Sequence, residues 1–123
     1  MLRSCDAISF IATRDFARAR KFYSGILGLK LLSEDGFAQV YDIHGRMLRV
    51  TKVSEVAVAP YTVLGWRVKN TPAMVKKLLK AGVKFEIYKG LGQDESGVWA
   101  APGGTRVAWF KDPDGNLLSV SDQ

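Results

Sequence analysis

The sequence predicts an α+β fold made of two β-α-β-β-β units in tandem. Segments with strand and helix patterns occur twice in the same order, and Asp15 and Asn70 each stand before a predicted helix. The stretch Gly45-Arg46-Met47-Leu48-Arg49-Val50 also matches Gly115-Asn116-Leu117-Leu118-Ser119-Val120. One such unit cannot bury its sheet alone. We therefore expect the sheets to curve around a cleft, with the helices on the outside.

The first unit begins with a strand over residues 7–13, in which apolar residues dominate. Asp15 can cap a helix over about 16–24, because apolar residues then recur at spacings of three and four and glycines follow. Turn residues at Asp35-Gly36 and His44-Gly45 separate the next runs. These runs predict strands near 29–33, 37–43 and 46–53.

The second unit repeats this order after Ala59-Pro60. Thr71 is predicted to cap the second helix, with Pro72 at the first helical position, and Gly82 ends this helix. A corner at Asp112-Pro113-Asp114-Gly115-Asn116 precedes the last strand. We predict strands near 61–69, 84–90, 97–100, 105–111 and 117–121, which is one more than the first unit has. The chain is thus expected to be a single domain of two repeats, about 5–57 and 60–122.

The charge is spread evenly along the 123 residues. The net charge is +6, and residues 1–60 and 61–123 each carry nine Lys or Arg against six Asp or Glu. The densest basic positions fall mostly on the polar sides of the predicted helices, so nucleic-acid binding is a weak prediction. An anionic small molecule is compatible with this charge.

Cysteine and histidine each occur once, which excludes an internal disulfide and a cluster of these two residue types. His44 falls in a predicted turn, where a surface position is the simplest explanation. The start of the chain lacks the pattern of a secretory signal, and no apolar run is long enough for a membrane span. We therefore expect a cytoplasmic protein with no membrane partner.

Three stretches resemble the vicinal oxygen chelate superfamily, which includes glyoxalase I, extradiol dioxygenases, fosfomycin-modifying enzymes and bleomycin resistance proteins. They are Arg14-Asp15 through Gly28-Leu29, Val68 through Gly82, and the corner Asp112 through Leu118. The resemblance implies a homodimer and, in the metal-dependent members, a divalent metal held by four inward-facing His, Glu or Gln side chains.

The resemblance assigns these four metal positions to Ile8, Arg49, Val63 and Ser119. Ile and Val have no donor atom, Arg is a permanent cation, and a single Ser hydroxyl binds divalent metals weakly. The sequence therefore predicts no metal and no other cofactor.

Strand alternation predicts which other residues face the cleft. With the inward positions set by the resemblance, Phe10 and Arg67 join Ile8 and Val63, and Arg49 lies beside Arg67. We interpret the two arginines either as receptors for an anionic ligand or as members of structural ion pairs. Trp99, next to a glycine-rich segment, suits a stacking wall for a planar ligand or ordinary sheet-edge packing, whereas Trp66 and Trp109 are expected in the core. The predicted ligand-binding residues are Ile8, Phe10, Arg49, Val63, Arg67, Trp99 and Ser119.

Three functions remain open at this level. The first is a metal-free binding protein, similar to bleomycin resistance proteins, that sequesters or senses a planar or anionic small molecule. The second is an enzyme of the superfamily, either one whose ligands lie at positions other than the four assigned here or a metal-free lyase or isomerase with Glu86 or Tyr41 as the base. The third is weak binding of nucleic acid or a regulatory partner through the basic helix faces. We favour the first, with no catalytic residue assigned.

Overall fold

A computed structural model describes all residues from 1 to 123 and divides the chain into two compact units, Met1–Ala57 and Val58–Gln123. Each unit has one mixed four-stranded sheet and one helical segment, in the order β-α-β-β-β. The predicted α+β class is confirmed, and so is the predicted order of elements apart from one additional strand predicted in the second unit.

The first unit contains strands β1 (Ile8–Thr13), β2 (Lys30–Glu34), β3 (Ala38–Ile43) and β4 (Arg46–Lys52), with helix α1 (Phe16–Arg20) after β1. The strands lie side by side in the order β1-β4-β3-β2. Strand β1 runs parallel to β4, and the other neighbours are antiparallel.

Helix α1 begins as predicted, with the Asp15 side chain accepting a hydrogen bond from the backbone N–H of Arg18. Its continuation differs from a regular α-helix, because Lys21–Ile26 form a π-helical segment. The N–H of Leu27 donates to the carbonyl of Phe22 at 2.9 Å, which closes the wider turn. The adjacent Phe22 and Tyr23 are both buried against the sheet side of this unit. Hydrophobic spacing alone does not predict such a turn.

A buried polar network joins β3 to the start of α1. Gln39 is fully buried, and its side-chain amide donates to the carbonyl of Phe16 at 2.9 Å and to Glu34 at 2.7 Å. The Tyr41 hydroxyl donates to the Gln39 side-chain oxygen at 2.8 Å. Burial raises the pKa of Tyr41 to about 12. The helix-facing side of β3 is therefore structural, and every donor that it buries has a partner.

The second unit contains strands β5 (Leu64–Arg67), β6 (Trp99–Ala100), β7 (Arg106–Lys111) and β8 (Leu117–Ser121), with helix α2 (Thr71–Lys80) after β5. The strand order is β5-β8-β7-β6, and only β5 and β8 are parallel. Buried Val75, Phe110 and Leu118 form part of the apolar core of this unit.

The strand predicted over 84–90 is wrong. Only Phe85 pairs with the sheet, through a single antiparallel bridge to Phe110. Beyond it the chain leaves the edge of β7, and Gly90 and Gly92 have φ values of 85° and 81°, which an extended strand does not contain. The outer edge of β7 is thus covered by two short segments, at Phe85 and at β6.

Backbone angles are similar at the two places where the sequence predicts that the units correspond. Asp15 and Asn70 cap their helices at φ/ψ values of −144°/105° and −147°/105°. Gly45 and Gly115, which precede the matching strands, have φ values of 85° and 91°. In each unit the first strand is parallel to the last one.

Asp122 ties together three parts of the second unit. Its carboxylate accepts hydrogen bonds from the backbone N–H and the side chain of Arg106, both at 2.8 Å, and from the N–H of Thr71 at 3.2 Å. The Thr71 hydroxyl donates in turn to the carbonyl of Arg106. The side chain of Asp122 is only 7% exposed. The N–H of Arg106, with smaller contributions from Thr71 and the guanidinium, lowers the pKa of Asp122 to about 2.

We expect this carboxylate to make the stability of the protein acid-sensitive. Its pKa in the fold is below the ordinary value of 3.8, so its contribution is complete above about pH 4 and disappears as the pH falls towards 2. Asp122→Asn should lower the urea midpoint at pH 7, and the gap from the wild type should close between pH 4 and 2.

The exposed Asp6 supplies the control, since its only ion pair, to Arg46, spans 3.9 Å at the surface. Asp6→Asn should leave the urea midpoint nearly unchanged at every pH. A gap for Asp122→Asn that stays constant from pH 7 to pH 2 would contradict the assignment.

Candidate functional site

The sheet of the second unit has one face towards the buried core and an open face on the opposite side. Leu118 and Val120 point to the core, so the alternating Ser119 belongs to the open face. Strand register places Gly65 and Trp109 on either side of Ser119. A Cβ atom at position 65 would come within 2.7 Å of the Ser119 hydroxyl oxygen, so glycine at this position leaves space for the hydroxyl. The open face therefore has two small residues, Gly65 and Ser119, beside the large ring of Trp109.

Three aromatic rings form a cluster on this open face, which we call the aromatic cluster: Tyr88, Trp99 and Trp109. The ring centroids of Trp99 and Trp109 are 6.0 Å apart at an interplanar angle of 32°. Tyr88 meets Trp109 edge to face at 5.5 Å. Tyr88 is 39% exposed and both tryptophans are half-buried, so the rings are accessible from solvent. Such a cluster offers a stacking surface.

The core position expected for Trp109 is wrong. Trp109 lies on the opposite side of β7 from buried Ala108 and Phe110, and it contacts the other two rings of the cluster. Trp66 is on the core side, where it stacks on Phe110 with the centroids 6.4 Å apart. Trp99 contributes to the cluster, although its role as a ligand residue stays a prediction.

A charge pair borders the aromatic cluster. Lys111 Nζ lies 3.4 Å from the carboxylate of Glu86, and both side chains keep partial exposure. Burial raises the pKa of Tyr88, and the negative charge of Glu86 raises it further, while Lys111 opposes this effect. The Tyr88 hydroxyl is accordingly a neutral hydrogen-bond donor near pH 7.

Gln93 holds the segment that carries Tyr88. Its side-chain amide donates to the carbonyls of Glu86 and Gly97, both at 2.8 Å. Its side-chain oxygen accepts from the N–H of Tyr88 at 2.6 Å. One glutamine thus connects the two ends of the loop and orients Tyr88 towards Trp109.

Asp94 shapes the return of the loop to β6. Its carboxylate accepts from the N–H and hydroxyl of Ser96 and from the N–H of Val98, at 2.8 to 2.9 Å. Burial alone would raise the pKa of Asp94, but the hydrogen bonds from Val98 and Ser96 bring it below its ordinary value. Sequence reasoning did not identify Gln93 or Asp94, although Asp-x-Ser-Gly is a signal of such a turn.

The open face of the first unit carries the other predicted residues. Ile8 and Phe10 are 47% and 62% exposed, and register places Phe10 directly opposite Arg49. Arg49 takes part in none of the ion pairs of the chain. The hydrogen bonds from the N–H groups of Phe37 and Ala38 lower the pKa of Asp35, and the charge of Arg49 lowers it by a smaller amount. The first unit thus presents a cation between exposed apolar groups.

The predicted residues fall into two groups, one in each unit. Ile8, Phe10 and Arg49 share the open face of the first unit. Ser119 and Trp99 are on the open face of the second unit, and Val63 and Arg67 lie at the two ends of β5. Their role in binding a ligand stays a prediction.

The donors at the four superfamily positions do not fit a divalent metal. Ile8, opposite Met47, has no donor atom in its side chain, and Arg49, opposite Phe10, is a cation. Ser119, opposite Gly65, offers a single hydroxyl. Val63, in front of β5, has no donor atom in its side chain. No three His, Cys, Asp or Glu side chains come together elsewhere in the chain.

Neither residue considered as a base has a favourable position. Tyr41 is fully buried on the core side of β3 and bonded to Gln39. Glu86 is at the border of the aromatic cluster but is paired with Lys111. His44 occupies a tight turn with φ of 48° and is exposed, as expected.

Neither helix has the length and apolar character needed to cross a bilayer.

No curated protein sequence matched the chain in the comparison. Solved structures did match over nearly the whole chain. A bleomycin resistance determinant encoded on the transposon Tn5 has 18% identity and a TM-score of 0.74, covering 96% of this chain and 97% of that one.

Lactoylglutathione lyase from Agrobacterium tumefaciens has 16% identity and the same TM-score of 0.74, covering 97% of this chain and 93% of that one. A glyoxalase/bleomycin resistance protein/dioxygenase from Alicyclobacillus acidocaldarius has 21% identity and a TM-score of 0.69, covering 97% and 91%. At these identities the likeness concerns the fold. The family model for this group matches residues 5–120, and the chain belongs to the glyoxalase/bleomycin resistance protein/dioxygenase superfamily.

Proposed function

We propose that the chain is a metal-free binding protein that sequesters or senses a small planar ligand, with an acidic group as the preferred substituent. The observation that carries this proposal is the aromatic cluster on the open face of the second unit. The cluster lies beside Ser119, and Ser119 occupies a position where metal-dependent members of the family have a metal ligand. The site thus combines ring surface with small residues, and its donors suit recognition rather than metal-assisted chemistry.

Stacking is the interaction that this cluster supports best. The two tryptophan rings are tilted by 32° and half-buried, so a flat ligand can cover their exposed parts with little loss of side-chain freedom. The Tyr88 hydroxyl and Lys111 add hydrogen-bond donors at the border.

Charge favours an acidic ligand over a cationic one. The chain has 18 Lys and Arg against 12 Asp and Glu. Arg49, beside the exposed Phe10, offers a cation and a ring on the open face of the first unit as well. A cationic drug would be a poorer match than a planar acid, despite the likeness to a bleomycin resistance determinant.

An enzymatic function is the alternative, because a lyase also shares the fold. Glu86 is the one acidic side chain at the aromatic cluster that could act as a base. Its carboxylate is paired with Lys111 at 3.4 Å, which favours a structural role.

Replacing Trp99 by Leu should weaken binding of a planar acid such as 2-naphthoate by about fivefold to tenfold, because one stacking contact contributes about 1 kcal/mol. Calorimetric titration of the purified protein measures the change in Kd. Tyr61→Leu is the matched control, since Tyr61 is an aromatic residue with 65% exposure outside the aromatic cluster. Equal affinities in all three proteins would contradict the proposed site.

Gln93→Ala should loosen the loop without unfolding the sheet. Three hydrogen bonds disappear, so amide exchange of Tyr88 and its neighbours should accelerate at least about fivefold, while β7 and β8 keep their protection. The Kd for 2-naphthoate should rise in parallel. Gln123→Ala, at the end of the chain, is the control. Unchanged exchange at Tyr88 would show that Gln93 does not position this ring.

We further propose a homodimer in the cytoplasm, in which the open face of the first unit takes part in the interface. The exposed Ile8 and Phe10 support this, because such apolar groups gain free energy when covered. Light scattering should give about twice the 13.6 kDa mass of one chain for the wild type and a smaller mass for Phe10→Glu. Phe37→Glu, at a position 78% exposed in a turn, should remain dimeric. A wild-type mass of one chain would refute the dimer.

A further inference from the structure

A hollow of about 360 Å³ lies in the second unit where the chain passes from β5 into α2. Val68 follows β5, and Ala73 and Met74 belong to the first turns of α2, so these three provide an apolar lining. This volume is within the range of sites that hold small molecules. The hollow involves none of the rings of the aromatic cluster.

Three cations also line this hollow: Arg67, Lys69 and Lys77. All three side chains are exposed, and none takes part in the ion pairs of the chain. Lys77 is one helical turn beyond Ala73 and Met74, so it shares their face of α2. Three like charges near one hollow repel one another, and an anion placed among them would remove this repulsion.

The start of α2 does not itself supply donors to the hollow. The N–H of Thr71 is bonded to Asp122, and Pro72 has no N–H. The N–H groups of Ala73 and Met74 are bonded to the side chain and carbonyl of Asn70. Recognition of an anion here would therefore depend on the three side-chain cations rather than on the helix terminus.

We propose that this hollow, which we call the basic hollow, binds a small organic anion that carries two negative charges and an apolar tail. The charged end is held by Lys69, Lys77 and Arg67, and the tail lies on Val68, Ala73 and Met74. The proposal concerns a second site, independent of the aromatic cluster.

Hexyl phosphate is a suitable probe, because its aliphatic tail cannot stack on the aromatic cluster. Methyl phosphate has the same charge without the tail and serves as the matched ligand control. Titration of the ¹⁵N-labelled full chain at pH 8 and low salt gives Kd values and locates the perturbed amides. The test variant is Lys69→Gln/Lys77→Gln. Its control, Lys76→Gln/Lys80→Gln, removes the same charge from α2 at positions that do not line the basic hollow.

We expect hexyl phosphate to shift the amides of Val68, Lys69, Ala73 and Met74 and to bind at least about fivefold tighter than methyl phosphate. The test variant should lose about tenfold in affinity and the control at most about twofold. The proposal is overturned if hexyl phosphate does not bind at millimolar concentration or if the two phosphates bind equally. Equal losses in both double variants would also overturn it, because they would indicate diffuse attraction to the basic helix.

Discussion

The carboxylate of Asp112 fixes the corner on which the second unit depends. It accepts hydrogen bonds from the N–H groups of Asp114 and Asn116, both at 2.9 Å, and from the side-chain amide of Asn116 at 2.8 Å. Asp112 and Asn116 are each only 5% exposed. The N–H of Asp112 also donates to the carbonyl of Asn116, and Gly115 takes the positive φ that closes the turn. This corner sets the register of β7 against β8.

The register in turn decides which side chains are available for binding. It pairs Phe110 with Leu118 on the core side and Trp109 with Ser119 on the open face. A slip of one residue would exchange the two faces, burying Ser119 and exposing Leu118. The same alternation separates functions in the first unit, where Gln39 and Tyr41 stabilise the core side and Arg49 remains on the open face. The stabilising contacts and the proposed recognition thus use opposite faces of the same strands.

Local signals in the sequence were sufficient for most of the fold. The cap at Asp15 and the corner at Asp112 act through their own backbone neighbours, and these are features that the sequence predicts correctly. The cap predicted at Thr71 is wrong by one residue, because the Asn70 side chain accepts the hydrogen bond from the N–H of Ala73. The strand predicted over 84–90 is wrong because the conformation of this segment depends on which part of the chain pairs with the edge of β7, and that contact is distant in sequence. The run Val107-Ala108-Trp109-Phe110 is apolar throughout, so alternation could not assign a face to Trp109. Gln93 was missed because its three partners are set by the loop path.

The residue sizes on the open face of the second unit explain why the proposed ligand is flat. Gly65 and Ser119 are small, and any side chain at 65 would displace the Ser119 hydroxyl from its position. Beside these small residues are three rings, with the Trp109 centroid 5.5 Å from that of Tyr88 and 6.0 Å from that of Trp99. A metal site requires side chains whose donor atoms converge on one point. Small residues beside large aromatic side chains instead leave a space bordered by apolar ring surface. In the proposed site, affinity comes from the ring area that the ligand covers, so we expect the spacing of Tyr88, Trp99 and Trp109 to determine which ligands fit.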